Sequence, residues 1–390
     1  MRDFLSQRAK ALKPSGIRKY FDLVETLPDA ISLGVGEPDF VTPWEIRSAG
    51  IRSLQKGYTQ YTGNRGLVEL RGLISRYLSE RFQVDYAPEQ TIVTVGASEG
   101  IDLALRAICE EGDEILLPDP SYVSYSPIVS LLGGKPVPVL CTSENGFILT
   151  KENLEAAITE KTKALILAYP NNPTGGIMTK EQLGAIVPTI EKHDLLVISD
   201  EIYAELTYGQ RHVSIASLGN MRERTVLLSG FSKAFAMTGW RVGFACAPKG
   251  IDTAMLKIHQ YTMLCAPRIS QHAAVAALQG GFEDEFAEVE RMRAEYDKRR
   301  RFLVSAFNQM GLTCFEPRGA FYVFPSVAGT GLNGEDFAER LLKTEQVAVV
   351  PGSAFGACGQ NFIRCSYATA FSELTEAVER IGRFVQKNAR

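Results

Sequence analysis

Between about residues 90 and 250 the chain repeats one pattern: a short uninterrupted apolar run, a loop, then apolar residues at helical spacing. The runs are Thr91-Ile92-Val93-Thr94-Val95, Glu114-Ile115-Leu116-Leu117, Ala164-Leu165-Ile166-Leu167-Ala168, Leu195-Leu196-Val197-Ile198-Ser199 and Thr225-Val226-Leu227-Leu228-Ser229. A strand with one face in water alternates apolar and polar residues. A run that is apolar throughout has both faces covered, which suits a parallel sheet between two helix layers. Ile101, Leu105 and Ile108 follow the first run at helical spacing, and Thr179-x-x-Gln182 is a capping box opening another helix. The pattern predicts an α/β doubly wound architecture with a mostly parallel sheet sandwiched by helices.

A chain of 390 residues exceeds one such layer. From about Glu283 to Met310, the residues Phe286, Val289, Met292, Tyr296, Leu303 and Met310 predict one side of a single long helix. Gly319-Ala320-Phe321-Tyr322-Val323-Phe324 reads as a strand, and Leu374, Val378, Ile381 and Val385 as the apolar stripe of a closing helix. This tail predicts a smaller α+β domain. The first 45 or so residues carry too little apolar sequence to stand alone and are expected to pack onto it. The expected division is a large domain over 46–283 and a small one made of 1–45 and 284–390.

Forty-two Lys and Arg against forty-five Asp and Glu give a net charge of −3, without the basic excess that binding a phosphate backbone requires. No nucleic-acid partner is expected. The basic run Lys298-Arg299-Arg300-Arg301 follows Glu283-Asp284-Glu285 on the same expected helix and reads as a solvated face. Seven scattered cysteines, none spaced C-x-x-C, read as reduced and mostly buried thiols. No apolar run is long enough to span a bilayer, so a cytoplasmic protein without a membrane partner is expected. Four histidines without ligand spacing predict no metal site.

Ligands of an open parallel sheet bind beyond the carboxyl ends of its strands. Those ends carry Gly96-Ala97-Ser98 at a helix start, Asn171-Asn172-Pro173-Thr174-Gly175, Asp200-Glu201-Ile202-Tyr203, and Gly230-Phe231-Ser232-Lys233. Free N–H groups and the positive dipole end at Gly96-Ala97-Ser98 suit a phosphate, with Ser232 and Arg241 completing a cup. There is no G-x-x-x-x-G-K-[ST] loop and no G-x-G-x-x-G after a strand, which argues against nucleoside triphosphates and dinucleotides. Lys233 lies in apolar sequence, where desolvation favours the neutral amine needed for Schiff-base chemistry. Asp200 directly follows an apolar strand, where a carboxylate needs a cationic partner. A pyridinium nitrogen is one such partner.

Three motifs carry a family resemblance: Ser32-Leu33-Gly34-Val35-Gly36-Glu37-Pro38-Asp39-Phe40, Ser232-Lys233-Ala234-Phe235-Ala236-Met237-Thr238-Gly239-Trp240-Arg241-Val242-Gly243, and Arg364-Cys365-Ser366-Tyr367-Ala368-Thr369. Through them nearly the whole chain resembles the fold-type I pyridoxal-phosphate aminotransferases of class I/II. The similarity is to the bacterial branch with aspartate, aromatic and N-acetyl-diaminopimelate enzymes. The resemblance implies pyridoxal 5′-phosphate as cofactor, amino acids and 2-oxo acids as substrates, and a homodimer with shared active sites. It also implies roles. Lys233 is the Schiff-base lysine and proton shuttle, and Asp200 keeps the pyridine nitrogen protonated. Asn172 and Tyr203 hydrogen-bond the phenolic oxygen, while Tyr122 stacks on the ring. Ala97, Ser98, Ser232 and Arg241 hold the phosphate, which Tyr61 reaches from the partner subunit. Arg364 binds the substrate α-carboxylate with Asn172 and the backbone at Gly36, a bidentate task suited to arginine.

Some aspartate-specific members carry Lys where this chain has Ser98, and Ile17, in Ser15-Gly16-Ile17, falls in the segment that closes over the substrate side chain. An aromatic, N-acetyl-diaminopimelate-type or other not strictly dicarboxylic substrate is therefore expected, exchanged by a ping-pong mechanism. Two alternatives are weighed against this. A C–S β-lyase of the cystathionine β-lyase type shares the cofactor, but Ala-Met-Thr-Gly-Trp-Arg after Lys233 looks like the transaminase version. A regulator with an aminotransferase-like sensing domain needs about 60 to 80 further residues for a DNA-binding module and a basic surface.

Overall fold

The computed structural model describes residues 2–14 and 29–388. A short helix α1 (Gln7–Ala11), a strand β1 (Ile31–Ser32) and two helices, α2 (Trp44–Gln55) and α3 (Val68–Phe82), lead into the alternating region. That region runs β2 (Thr91–Thr94), α4 (Gly96–Ile108), β3 (Glu114–Asp119), α5 (Tyr125–Leu131), β4 (Lys135–Leu140), α6 (Lys151–Ala157) and β5 (Thr162–Ala168). It continues through α7 (Lys180–Lys192), β6 (Leu196–Asp200), β7 (Thr225–Gly230) and β8 (Gly243–Cys246). The eight strands up to this point include seven that form one sheet, in the order β2-β8-β7-β6-β5-β3-β4. Only β8 runs against its neighbours.

Both faces of this sheet are buried, as the uninterrupted apolar runs require. Ile166, Ile198 and Leu228 join the core under α4, whereas Leu165, Leu167, Val197 and Leu227 belong to the cores on the opposite side. The capping box forms at α7: Thr179 Oγ1 accepts from Gln182 N–H at 3.3 Å, and Gln182 Oε1 accepts from Thr179 N–H at 2.8 Å. Two strands lacked an apolar signature. In β4, Pro136 and Pro138 sit on an edge strand, the one place a sheet tolerates missing donors. In β8, small residues suffice because it is covered on both sides.

The remaining elements are α8 (Lys249–Thr262), α9 (Arg268–Glu283), α10 (Ala287–Gln309), β9 (Tyr322–Val323), α11 (Gly334–Glu345), β10 (Val347–Ala348), β11 (Val350–Pro351), β12 (Ile363–Ser366) and α12 (Phe371–Asn388). The single helix expected over 283–310 is two helices. Glu285 and Phe286 take left-handed φ values of 56° and 60°, which no α-helix accommodates. The break drops the Phe286 ring among Tyr77, Phe235 and Phe282, so burial of one aromatic overrides helical continuity. The basic run is likewise not a solvated face throughout. Arg299 and Arg300 are 6% and 5% exposed, and pair with Asp39 at 2.8 Å and Glu316 at 2.7 Å.

The antiparallel sheet β11-β12-β9 packs with α10 and α12 around Tyr296, Leu303, Phe307, Phe321, Ile363, Leu374 and Ile381. The segment around β1 joins this half: Ile31 pairs with Val347, and Ser366 N–H donates to Leu33 O at 2.7 Å. Helix α1 does not follow it. Arg8 pairs with Glu111 and donates to Leu131 O at 3.5 Å, which sets α1 on the sheet half rather than on the small half expected for the whole N-terminal stretch.

Candidate active site

The strand ends converge as parallel topology requires, because β2, β3, β5, β6 and β7 all end on one edge of the sheet. Asp200 closes β6 and is buried. Tyr125 Oη donates to its Oδ2 at 2.8 Å, and Ile202 N–H to its Oδ1 at 3.2 Å. Burial pushes the carboxyl up, and the bond from Tyr125 pulls it back. Its partners are thus a phenol and an amide, where a buried carboxylate calls for a cation.

Lys233 lies three residues beyond β7, and its Nζ donates to Gly36 O at 2.6 Å. Burial pushes the ammonium down to about 8; Glu37 and Asp200 oppose this, and Arg364 and Arg241 add to it. The lysine is half-buried and the aspartate buried, and they do not form an ion pair with each other.

At the start of α4, Ala97 and Ser98 occupy the first turn, whose N–H groups lack partners within the helix. Arg241 lies against this turn: a Cβ on Gly96 would sit 2.6 Å from Arg241 Nη2, and Gly96 has φ +72°. Only glycine permits both the backbone turn and the guanidinium's approach. Arg241 itself holds φ 50° and adjoins Val242, whose carbonyl accepts from the N–H of Phe231, the neighbour of buried Ser232. A helix N-terminus, a guanidinium and a hydroxyl make an anion cradle.

Arg364 on β12 is 3% exposed. Its Nη1 donates to Asn172 Oδ1 at 2.8 Å and its Nη2 to Gly34 O at 2.6 Å, while Nε is buried without a partner. A desolvated guanidinium held by neutral oxygens alone is costly, so the arrangement calls for an anion. Its Cζ lies 4.4 Å from the Tyr322 ring centroid and 4.8 Å from that of Phe355. Tyr203, buried behind Lys233, has its Oη 2.9 Å from Tyr322 Oη. Tyr122 is half-buried, edge-on to Tyr125 at 5.5 Å between centroids.

The expected set is brought together with two adjustments, at Gly36 and at Tyr61. The backbone oxygen at Arg364 belongs to Gly34, and Gly36 O serves Lys233 instead. Asn172 lies beside Arg364, the residue it was expected to assist, and accepts from its Nη1. Tyr61 is 78% exposed and away from this chain's own crevice, lining a cleft of about 450 Å³ with Arg65, Arg71 and Arg268. Ile17 lies outside the described residues. The sequence reading missed Tyr125 and Tyr322. Tyr322 sat within a segment read only as a strand, and Tyr125 follows Tyr122 by three residues with nothing in the spacing to mark a carboxylate partner.

The crevice offers an amine that readily turns neutral, a carboxylate that needs a cation, an anion cradle and a guanidinium that needs a carboxylate. The family model for Aminotransferase class I and II matches residues 28–381. A Bacillus subtilis protein named as an aminotransferase, YugH, is 54% identical over 388 residues, covering 99% of this chain and 100% of the relative. The aspartate aminotransferase of Pyrococcus abyssi is 45% identical, with 98% of each chain covered. The structure of the aromatic aminotransferase from Pyrococcus horikoshii superposes with a TM-score of 0.90 at 45% identity, covering 94% of this chain and 99% of that one.

Proposed function

Because the chain belongs to the class I and II aminotransferases, enzymes that use pyridoxal 5′-phosphate to move an amino group between amino and 2-oxo acids, we propose that Lys233, Asp200 and Arg364 are the centre of its active site. The observation that carries this is a half-buried lysine and a buried aspartate in one crevice, not paired with each other, each needing what this cofactor provides. The fit extends to the anion cradle of Ala97, Ser98, Ser232 and Arg241 for the phosphate.

When bound, the cofactor supplies a carbonyl carbon for the amine and a cationic ring that withdraws electrons from the substrate Cα. Lys233 Nζ would anchor it covalently and would move the proton between the substrate Cα and the cofactor C4′. Asp200 would keep the ring nitrogen protonated. Tyr203 and Asn172 would donate to the phenolic oxygen, and Tyr122 would cover the ring. Arg364 holds the α-carboxylate, with Asn172 and the Gly34–Gly36 backbone around it. One crevice would serve donor and acceptor in turn, with Arg364 holding the α-carboxylate of each, which is the ping-pong order proposed here.

Arg364→Lys is expected to raise KM for amino and 2-oxo acids alike, roughly 10- to 100-fold, with cofactor content unchanged, since an ammonium cannot fork a carboxylate. Steady-state kinetics on both substrate pairs measure this. An effect on one member of each pair alone would reassign Arg364 to side-chain recognition.

For substrate class, we propose aromatic, N-acetyl-diaminopimelate-type or other not strictly dicarboxylic amino acids. Ser98, exposed at the cradle, supplies no cation, and Tyr203, Phe321, Tyr322 and Phe355 surround Lys233 and Arg364. A half-reaction screen following cofactor absorbance with each amino acid tests it, and aspartate and glutamate as the fastest donors would overturn it.

We further propose a homodimer in which Tyr61 completes the partner's phosphate site. Exposed Trp44, Leu54, Val68 and Tyr261 are consistent with such an interface. If so, a heterodimer of a Lys233→Ala chain and a Tyr61→Ala chain carries both defects in one site and none in the other. Two individually impaired mutants, co-refolded, should reach about a quarter of wild-type activity, because half of the dimers are mixed and each has one intact site. Activity at the mean of the parents, with heterodimers demonstrated, would overturn the shared site. We place the large domain at 46–283, with 284–390 and the segment around β1 as the small one. The seven free cysteines support a cytoplasmic setting.

A further inference from the structure

Tyr322 touches both ends of the crevice. It lies on β9 opposite Ser366 of β12, two residues from Arg364, so its ring comes under the Arg364 guanidinium at 4.4 Å. Its hydroxyl is 2.9 Å from Tyr203 Oη and so close to the Gly36 backbone that a Cβ there would sit 2.7 Å away. Gly36 O in turn holds Lys233 Nζ.

A phenol has one proton to give and can accept two. The contact between Tyr203 and Tyr322 consumes one of their two protons, and whichever hydroxyl donates has none left for another acceptor. The groups facing Tyr322 are Arg364, Tyr203, Tyr122 and Glu37, while Lys233 lies 5.7 Å from the neighbouring Phe321 ring. Arg364 is permanently charged and lies on the Tyr322 face, which makes that phenol the stronger donor. Burial raises both phenols, Tyr203 well above its ordinary range, and Arg364 pulls both back, most directly Tyr322, whose ring it overlies.

We propose that Tyr322 is a positioning residue with two functions: its hydroxyl donates to Tyr203 Oη and so commits the Tyr203 proton to the cofactor's phenolic oxygen, and its ring face holds Arg364 in place for the substrate carboxylate. This rests on the reading of Tyr203 and Arg364 given above. The polarity matters because a donor to the phenolic oxygen stabilises its proton-free form. A phenol that itself receives a hydrogen bond is the better donor.

The test is a pH titration of the bound cofactor's absorbance in the purified holoenzyme. Tyr322→Phe keeps the ring and removes the hydroxyl. The midpoint should rise by roughly 0.3 to 1 pH unit. An unchanged midpoint, or a lower one as expected if Tyr203 donates to Tyr322, overturns the hydroxyl assignment. Tyr322→Leu should raise both KM values together, roughly 3- to 30-fold, through loss of the cation–π face, and unchanged values overturn the second function. Tyr203→Phe is the control: it should raise the midpoint by itself, and adding Tyr322→Phe to it should produce no further shift. If Tyr203→Phe moves nothing, the reading of Tyr203 fails and the proposal with it. If Tyr203→Phe shifts the midpoint and Tyr322→Phe does not, only the proposal fails.

Discussion

Lys233→Ala is expected to lose transamination by about 10⁴-fold or more while still binding cofactor, now released by gel filtration under denaturing conditions. One nitrogen is assigned two tasks. As a general acid–base it contributes typically 10²- to 10⁴-fold, and covalent anchoring adds to that. Its environment prepares it for both, since burial pushes the ammonium down to about 8, within reach of the neutral form near physiological pH. The Gly36 carbonyl orients it at 2.6 Å. The assay is borohydride reduction followed by mass measurement of the intact chain, alongside turnover. Cofactor mass on the reduced Lys233→Ala chain, or near-native turnover, would remove Lys233 from the mechanism.

Asp200→Asn is expected to fold and bind cofactor, yet to lose roughly 10²- to 10³-fold in kcat, the usual cost of removing one preorganised electrostatic contact to the charge that develops during reaction. Asparagine matches aspartate in size, and its oxygen can still accept from Tyr125 Oη, which donates to Asp200 at 2.8 Å. It cannot hold a proton on a ring nitrogen, because an amide carries no net negative charge. Circular dichroism and cofactor absorbance control for folding and occupancy, and kcat is the readout. Turnover within a few-fold of wild type would mean that the buried carboxylate serves Tyr125 and the fold, not the cofactor.

The linear pattern of residues was enough to determine the parallel sheet, because burial on both faces leaves an uninterrupted apolar run that no solvated strand can show. From the runs follow the strand ends, and at those ends stand Asp200, Asn172, Lys233 and the first turn of α4. The motifs around Gly36, Lys233 and Arg364 were specific enough to identify the family. Local pattern failed where a long-range contact overrode it. Phe286 breaks a helix that its neighbours favour because its ring is buried among Tyr77, Phe235 and Phe282. Arg299 and Arg300 leave the solvent because Asp39 and Glu316 meet them.

The partners of each functional group were decided by the tertiary structure alone. Arg364 finds Gly34 across 330 residues and Asn172 across 192, Tyr203 finds Tyr322 across 119, and Asp200 finds Tyr125 across 75. Residue type and spacing encode what a side chain can donate, accept or neutralise. Which group it meets is decided for Asp200 by how α5 packs on the large sheet, and for Arg364 and Tyr203 by how the β11-β12-β9 sheet docks over that sheet's carboxyl edge, and no periodicity along the chain records either packing.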